Sequence, residues 1–251
     1  MIEREDDDGI RTLRLAHGKA SALDLELAAA LESEVRDAGR SDVRAVILTG
    51  TGSIFSAGVD LFQLVDGGAD YTRRFFPVLI ELIRTLVTFP KPVVAAVNGH
   101  AIAGGCIFTL CADYRLMALG DGRIGAPELL VGVPFPFLAL EVLRFALPPQ
   151  HVQELVLLGR TLMPAEALEK GMIDEIIEAG ALAARAKEIA RALASVPPRA
   201  FRLAKEQLRS DILERSERLG PANDTEALAQ WVAPETHDHI RAYLVKTVRK
   251  K

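Results

Sequence analysis

The sequence predicts an α/β fold over residues 1–196, followed by a helical region over residues 197–251. Two short apolar runs rich in β-branched residues, Arg44–Thr49 and Pro92–Val97, have the length and composition of buried strands. Segments with helical periodicity separate these runs. An alternation of strands and helices is typical of parallel pairing with right-handed crossovers. After Val196 only helical patterns remain, and this change sets the boundary between the two parts.

The elements before the second buried strand have clear periodic patterns. Ile10–Leu15 alternates between apolar and other residues, which predicts a strand. Asp24–Arg40 places its leucines and a valine on one face at helical spacing. Tyr71–Thr88 is a long amphipathic helix, and Phe89-Pro90 ends it.

The elements after the second buried strand begin at a glycine pair. We expect a helix at Gly105–Ala112 and a strand at Asp113–Ala118. After the Gly120–Gly122 turn, Arg123–Ile124 is predicted to pair with that strand.

The chain becomes mainly helical after Pro134. Before the boundary, the predicted elements are helices at Phe137–Phe145, Gln150–Leu158, Pro164–Lys170 and Ala181–Val196, and a strand at Ile173–Ile177. In the helical region, the predicted helices are Ala200–Arg215, Asp224–Val232 and His237–Arg249.

The bulk composition narrows the class of protein. Hydrophobic residues make up 49% of the chain and charged residues 25%, as in globular proteins. The net charge is −4 without a long basic run, which argues against a general nucleic-acid binder. No apolar run approaches membrane-spanning length, and the N-terminus carries no apolar targeting stretch. Cys106 and Cys111 lack metal-ligand and redox spacing, and so few cysteines suit a reducing compartment. We therefore expect a cytoplasmic protein.

Two glycine-containing turns between strands and helices offer backbone N–H groups. Gly104 and Gly105 open an apolar helix, where the first N–H groups have no intrahelical acceptor. The N–H of Val59, just after Gly58, could supply a second donor. Two such donors aimed at one point stabilise negative charge on a carbonyl oxygen. The alternative is that both are ordinary packing turns of an α/β domain.

Three acidic residues stand out by position. Glu128 lies among apolar residues after a proline; burial there would raise its pKa and suit it to carry a proton. The alternative is a glutamate that only binds N–H groups at a helix start. Asp60 is expected to cap the helix that follows it, and Asp113 to cap a turn or pair with Arg115.

Three stretches, in this order and spacing, resemble the crotonase (enoyl-CoA hydratase/isomerase) superfamily. Phe55–Leu61, Phe-Ser-Ala-Gly-Val-Asp-Leu, is similar to its first oxyanion-hole segment. Lys91–Cys106, which ends Ala-Gly-Gly-Cys, is similar to the second. Gly125–Val133, Gly-Ala-Pro-Glu-Leu-Leu-Val-Gly-Val, is similar to the catalytic segment. The resemblance covers nearly the whole chain, and its motifs are most like those of Δ3,Δ2-enoyl-CoA isomerases.

The resemblance implies a fold, a ligand and a set of site residues. The fold would be a spiral of ββα turns with a C-terminal helical trimerisation region, assembled as a homotrimer or hexamer. The ligand would be an acyl-CoA thioester; no metal, no cofactor other than coenzyme A, no nucleic acid and no membrane are expected. Glu128 would be the catalytic residue, and Val59 and Gly104 would provide the two N–H donors. The substrate-binding residues would be Lys19, Ala20, Ala22, Ala57, Gly58, Asp60 and Leu61.

One position departs from the hydratases of this family. They carry a first glutamate just after Gly-Gly-Cys, and this chain has Ile107 there. Two carboxylates activate water for hydration, whereas Glu128 alone suffices to move a double bond. The sequence therefore favours a Δ3-to-Δ2 enoyl-CoA isomerase of fatty acid metabolism.

Two other functions remain open. In one, the protein is an enoyl-CoA hydratase, or another acyl-CoA lyase or hydrolase, in which Asp70 or Glu141 replaces the missing acid. In the other, it is a trimeric acyl-CoA-binding protein without turnover. The acyl pocket is expected within residues 62–80, which contain Phe62, Tyr71, Phe75 and Phe76.

Overall fold

The computed structural model describes residues 1–248, and in this range the chain forms two β-sheets and ten α-helices. The strands are β1 (Ile2–Asp7), β2 (Ile10–Leu15), β3 (Ala45–Gly50), β4 (Ile54–Ser56), β5 (Val93–Val97), β6 (His100–Ile102), β7 (Tyr114–Ala118), β8 (Ile124–Gly125), β9 (Thr161–Leu162) and β10 (Glu175–Ile177). The helices are α1 (Leu25–Arg40), α2 (Leu61–Val87), α3 (Gly104–Cys111), α4 (Glu128–Val131), α5 (Phe137–Ala146), α6 (Pro149–Leu158), α7 (Pro164–Glu169), α8 (Leu182–Ala194), α9 (Pro198–Trp231) and α10 (Pro234–Val248).

The larger sheet has the strand order β1-β2-β3-β5-β7-β10 and is parallel except for the β1–β2 hairpin. The smaller sheet has the order β4-β6-β8-β9, in which only β9 is antiparallel to its neighbour. The predicted α/β class with a helical C-terminal region is confirmed.

Side chains of the larger sheet alternate between two apolar layers. Ala45 and Ile47 of β3 face α8, and Val46 and Leu48, which alternate with them, face the main core. Successive side chains of a strand point to opposite faces, so a strand covered on both sides is apolar throughout. This explains the continuous apolar runs in the sequence.

The predicted helix at Tyr71–Thr88 begins earlier than expected. In the structure α2 starts at Leu61, because the Asp60 side chain caps it by accepting the N–H groups of Phe62 and Gln63. The expected cap at Asp60 is thereby confirmed. Gly68 has φ +62 and interrupts the helical backbone within α2. That glycine hid the first two turns from the sequence analysis.

Two of the predicted tail helices are in fact one. We expected a break between Arg215 and Asp224, where Gly220-Pro221 lies, but α9 continues through both residues. Its buried positions recur every three, four or seven residues along the whole helix: Lys205, Arg209, Ile212, Ser216, Gly220, Ala227 and Trp231. Packing of this single face against the body overrides the local preference to end the helix.

The prediction for Arg123–Ile124 was wrong. Ile124 and Gly125 form β8 in the smaller sheet, between β6 and β9, and do not pair with β7. Ala101 donates its N–H to the Arg123 carbonyl at 2.8 Å, and this bond draws the segment to the smaller sheet.

Asp113 was expected either to cap a turn or to pair with Arg115. It does not pair with Arg115. Its carboxylate accepts the Val93 N–H and ion pairs with Lys205 (2.6 Å) and Arg209 (2.9 Å) of α9. These partners come from almost 100 residues away, which no local pattern reveals.

The helical tail follows the body after a short connection. The body's last helix, α8, ends at Ala194, and α9 begins at Pro198.

Among residues 1–248 no helix is both long and apolar enough to cross a membrane.

Candidate active site

Val59 follows β4 in an extended segment beside Leu23. The Leu23 N–H donates to the Gly58 carbonyl (2.7 Å), and the Leu23 carbonyl accepts the Asp60 N–H (2.9 Å). Adjacent groups of an extended chain point in opposite directions, so the N–H of Val59 faces away from Leu23. Within residues 1–248 this N–H has no hydrogen-bond acceptor. It is therefore available to a ligand.

Gly104 is the first residue of α3. The residue before it, Ala103, has φ +51 and ψ −117, a conformation that costs a non-glycine residue about 1–3 kcal/mol. Two hydrogen bonds hold it there: Ala103 donates its N–H to the Gly125 carbonyl at 2.8 Å and accepts the Ile107 N–H at 3.0 Å. The Gly104 N–H has no intrahelical acceptor, and it finds none elsewhere in the described chain.

The two turns are packed against each other. A Cβ on Gly58 would lie 2.7 Å from the Ile102 carbonyl oxygen and 3.1 Å from the Gly104 nitrogen. A Cβ on Gly105 would lie 2.6 Å from the Ser56 carbonyl oxygen. Glycine is thus required at both positions, since any side chain would force the turns apart. The close contact brings two unpaired N–H groups into one region.

Asn98 fixes the loop before β4. Its side-chain oxygen accepts the Gly50 N–H at 2.8 Å, and its amide donates to the carbonyls of Gly52 and Ile54. A side chain on the next residue, Gly99, would overlap the Ser53 backbone. The turn at Asn98 and Gly99 therefore positions β4, and with it the segment that carries Val59.

Glu128 begins the single-turn helix α4 and is 9% exposed. Within the described residues its Oε2 atom is buried without a hydrogen-bond partner. Burial raises the pKa of this carboxyl to about 8, and only its own backbone N–H opposes the shift. A carboxyl with this pKa exchanges a proton readily near neutral pH.

A cavity of about 530 Å³ brings most of the predicted site residues together. Its wall includes the following predicted residues: Lys19, Ala20, Ala22, Ala57, Val59, Asp60, Leu61 and Glu128. Gly58 and Gly104 do not line it, but both adjoin Ala103, which does. The rest of the wall is mostly apolar: Leu64, Ile102, Pro127, Val131 and Val133.

No described residue supplies a second free carboxylate beside Glu128. Ile107, at the position of the first hydratase glutamate, is buried in the core. Asp70 is 95% exposed and pairs with Arg73. Glu141 is buried but bonded to Arg215, and neither acid lines the cavity. Asp60 does line it, with its carboxylate engaged as the cap of α2.

The sequence analysis missed cavity residues at both ends of the chain. His17 lines the cavity, and its Nε2 atom lies 2.7 Å from the Asp24 carboxylate. Trp231, Tyr243 and Leu244 line it from the helical tail, together with Thr247. These tail residues have no motif, and only the packing of α9 and α10 on the body brings them here.

Of the four aromatic residues named for the acyl pocket, one lines the cavity. Phe62 lines the cavity and is 56% exposed, which places it near the opening. Tyr71, Phe75 and Phe76 do not line it. Phe75 is core, and Phe76 packs edge-on against Trp231 with ring centres 5.3 Å apart.

Cys106 and Cys111 are free and buried. Burial raises the pKa of the Cys106 thiol well above its usual value, and that of Cys111 to about 12. Both therefore stay protonated thiols at neutral pH.

Comparisons with known proteins agree with the motifs. Residues 5–243 match the family model described as Enoyl-CoA hydratase/isomerase. Over its full length the chain is 27% identical to the mitochondrial enoyl-CoA delta isomerase 1 of Mus musculus, covering 88% of that protein. Over 73% of its length it is 36% identical to a putative enoyl-CoA hydratase of Thermus thermophilus, covering 72% of that protein.

Among solved structures, human mitochondrial delta3-delta2-enoyl-CoA isomerase aligns over 100% of this chain and 99% of its own. The TM-score is 0.93 and the sequence identity 25%. Relatives named isomerase and relatives named hydratase both occur at moderate identity, so their names alone do not decide between the two reactions.

Proposed function

Because the chain belongs to the enoyl-CoA hydratase/isomerase family, we propose that it is a Δ3-to-Δ2 enoyl-CoA isomerase. One observation carries this proposal. Glu128 lines the cavity and has a buried carboxylate oxygen without a hydrogen-bond partner, and among residues 1–248 no second free carboxylate accompanies it. One carboxyl can shuttle a proton, whereas the hydration of a double bond in this family uses two.

In the proposed reaction Glu128 moves one proton. Its carboxylate removes a proton from C2 of a 3-enoyl-CoA thioester, and the electrons delocalise onto the thioester oxygen as an enolate that extends over the C3–C4 double bond. The same carboxyl then returns a proton to C4. The double bond moves from C3–C4 to C2–C3, and neither water nor another reactant is consumed. The reaction needs no metal and no cofactor beyond the coenzyme A of the substrate.

The N–H groups of Val59 and Gly104 are the proposed donors to the enolate oxygen. Both lack acceptors in the described chain, so each can bind the oxygen without first breaking a protein hydrogen bond. Loss of one such donor typically raises a barrier by about 3–4 kcal/mol. The strained Ala103 and the glycine contacts hold this pair in place before substrate arrives.

Coenzyme A would bind at the end of the cavity that carries Lys19, Ala20 and Ala22. The other proposed substrate-binding residues are Ala57, Gly58, Asp60 and Leu61. The acyl chain would occupy the apolar part between Val131, Val133 and Leu64, which are all buried.

Separate assays of two substrates test this proposal. Purified protein should convert a 3-enoyl-CoA into the 2-enoyl isomer and leave a 2-enoyl-CoA unhydrated. Glu128→Gln should lower isomerisation by about 10²–10⁴-fold, since general acid–base catalysis contributes that much. Asp70→Asn, which alters an exposed acid, should leave the rate unchanged. Hydration of the 2-enoyl substrate without isomerisation of the 3-enoyl one would refute the proposal.

The main alternative is an enoyl-CoA hydratase, or another acyl-CoA lyase or hydrolase. The 36% identity to a protein named putative enoyl-CoA hydratase favours it. Against it stands Ile107, a buried side chain that can neither accept a proton nor orient water.

The other alternative is a trimer that binds acyl-CoA without turnover. Thioester binding with no turnover of either substrate, and no effect of Glu128→Gln, would support it. We also propose that the protein is a homotrimer or a hexamer, as its family resemblance implies, and that it is cytoplasmic, as its few cysteines suggest.

A further inference from the structure

We propose that the helical tail positions Glu128, through polar contacts that Asp224, Trp231 and His239 make with the backbone around α4. This role would add to any part of the tail in assembly. The inference rests on the proposed function, because it concerns the same carboxyl.

The segment that carries Glu128 has little regular structure of its own. Helix α4 is a single turn, and a single turn is not stable in isolation. Residues 132–136 after it form neither helix nor strand, and Pro134 and Pro136 have no N–H to donate. The Glu128 Oε2 atom makes no hydrogen bond. The position of the carboxyl therefore depends on what holds its backbone.

Asp224 of α9 holds the end of this segment. Helix α5 starts at Phe137 after Pro136, which has no side chain that could cap it. The Asp224 side chain fills that role from another helix, since its Oδ1 atom accepts the Phe137 N–H at 2.7 Å. A cap of this kind fixes where α5 begins.

Trp231, at the end of α9, holds the middle of the segment. Its Nε1–H donates to the Pro134 carbonyl at 2.8 Å, and the side chain is only 3% exposed. Its ring also packs edge-on against Phe76, and Trp231 lines the same cavity as Glu128. One indole therefore touches the cavity and the backbone of the Glu128 segment.

His239 of α10 holds the start of the segment. Its Nε2 atom lies 3.1 Å from the Leu130 carbonyl, to which it donates in the tautomer protonated on Nε2. Its ring lies against Gly132, which has φ +89; a Cβ there would be 2.8 Å from the ring. The end of α4 is thus held by the tail.

The titratable groups around Glu128 come from several elements. The Cys106 thiol of α3 is close enough for the Glu128 charge to contribute to its raised pKa. His17, Lys19, Asp60 and Tyr243 lie around the same cavity. Burial is the largest cause of the raised Glu128 pKa, so we expect its titration to change when its burial changes.

The experiment removes single polar contacts and keeps the bulk of each side chain where possible. Trp231→Phe removes the N–H and retains a ring. Asp224→Ala removes the acceptor, and Asp224→Asn restores it. Glu226→Ala, at an exposed position of α9, is the control. For each protein we would measure kcat and KM for a 3-enoyl-CoA across pH, together with the thermal midpoint.

We expect Trp231→Phe and Asp224→Ala to lower kcat by about 10–100-fold. Displacing a catalytic group by about 1 Å can reduce the rate by that much. KM should change less than kcat. The pH midpoint of kcat/KM should move from about 8 toward the ordinary range of a glutamate, as water reaches the carboxyl. Asp224→Asn and Glu226→Ala should behave like the parent protein. An unchanged midpoint, with losses that only follow the folded fraction, would overturn the inference.

A second measurement separates this inference from the proposed function. Carbon-13 NMR of labelled glutamate carboxyls follows the titration of Glu128 directly, with Glu128→Gln to assign its signal. If Glu128→Gln retained full turnover, the proposed function would fail, yet the signal would still show whether Trp231→Phe moves the titration. An identical titration in the parent and both tail variants would refute the positioning role.

Discussion

At the scale of single residues, burial gives Glu128 its distinct properties. Charged glutamates normally lie at surfaces or in ion pairs, as Glu141 does with Arg215 and Arg144. There the two guanidinium groups outweigh burial and lower the pKa of Glu141. Glu128 has no such partner, and its pKa rises to about 8. Two buried carboxyls of one chain therefore differ in protonation near neutral pH.

The raised pKa predicts how the proposed isomerisation depends on pH. The reaction starts from the carboxylate, so kcat/KM should rise about tenfold per pH unit below about 8 and level off above it. A pH series of initial rates with a 3-enoyl-CoA measures this dependence. A plateau that already begins near pH 5 would contradict the assigned base.

The same pKa predicts a dependence of stability on pH that requires no substrate. A carboxyl whose pKa is higher in the folded than in the unfolded state favours folding while protonated. That contribution is complete below about 4.5 and is lost as the pH rises through about 8. Glu128→Gln lacks this loss. Between pH 5 and pH 9 its free energy of unfolding relative to the parent should increase, by about 1.4 kcal/mol per pH unit up to about pH 8 and no further above it. Urea unfolding at both pH values tests this, and a constant difference would contradict the buried, unpaired state of Glu128.

The turn that carries Val59 packs against the turn that carries Gly104. This contact predicts that a side chain at Gly58 lowers the free energy of unfolding. Gly58 and Gly171 have nearly equal φ values, +80 and +78, so Ala strains the backbone similarly at both. Only Gly58 is crowded: its Cβ would lie 2.6 Å from the Ala103 Cβ, while nothing lies within 4 Å at Gly171. Gly58→Ala should therefore destabilise the protein by about 1–3 kcal/mol more than Gly171→Ala. Equal losses in urea unfolding would show that the turns can move apart.

Local motifs were enough to select one part of the candidate site. Glu128, Val59 and Gly104 could be predicted because each lies in a short motif at a turn. Trp231 and His17 could not, since they reach the cavity only through the packing of distant elements. The partners of Asp113 were missed for the same reason, because Lys205 and Arg209 lie almost 100 residues further along the chain.

At the scale of elements, α9 shows where local rules fail. Gly220-Pro221 predicts the end of a helix, yet the helix continues because one of its faces is buried along its length. The larger sheet was predicted more successfully, because strands covered on both faces are long apolar runs. The short strands β4, β6 and β9 have only two or three residues each and leave no periodic pattern.

The continuity of α9 predicts that Pro221 weakens it. Proline lacks an N–H for the helical hydrogen bond and crowds the preceding turn, so Pro221→Ala should stabilise the protein by about 1–3 kcal/mol. Pro198 at the start of the same helix is the matched control. An N–H in the first turn of a helix has no intrahelical acceptor, so the proline removes no hydrogen bond there. Pro198→Ala should therefore change stability by less than about 1 kcal/mol. A loss of stability in Pro221→Ala would mean that the proline is required where it lies.

At the scale of the whole molecule, the tail shares the core of the body. Ile212, Trp231 and Ile240 belong to the same apolar cluster as the strands and helices of the α/β part. The Asp113 carboxylate joins the two parts by pairing with Lys205 and Arg209, which are both buried. Burial lowers the pKa of Lys205 to about 8, against the attraction of Asp113. Removing Asp113 would leave two buried cations unpaired, at a cost of about 3–5 kcal/mol.

A shared core predicts that the body and tail unfold together. Trp231 is the only tryptophan of the chain and packs the end of α9 against the body, so its fluorescence reports on the contact between the tail and the body. Far-UV circular dichroism reports on all helices and strands. The two urea transitions should have the same midpoint, because neither part can keep the shared core without the other. Asp113→Ala should lower both midpoints equally. If the tryptophan signal changed at lower urea than the dichroism, the tail would be a separately folding unit, and its hold on Glu128 would be correspondingly weak.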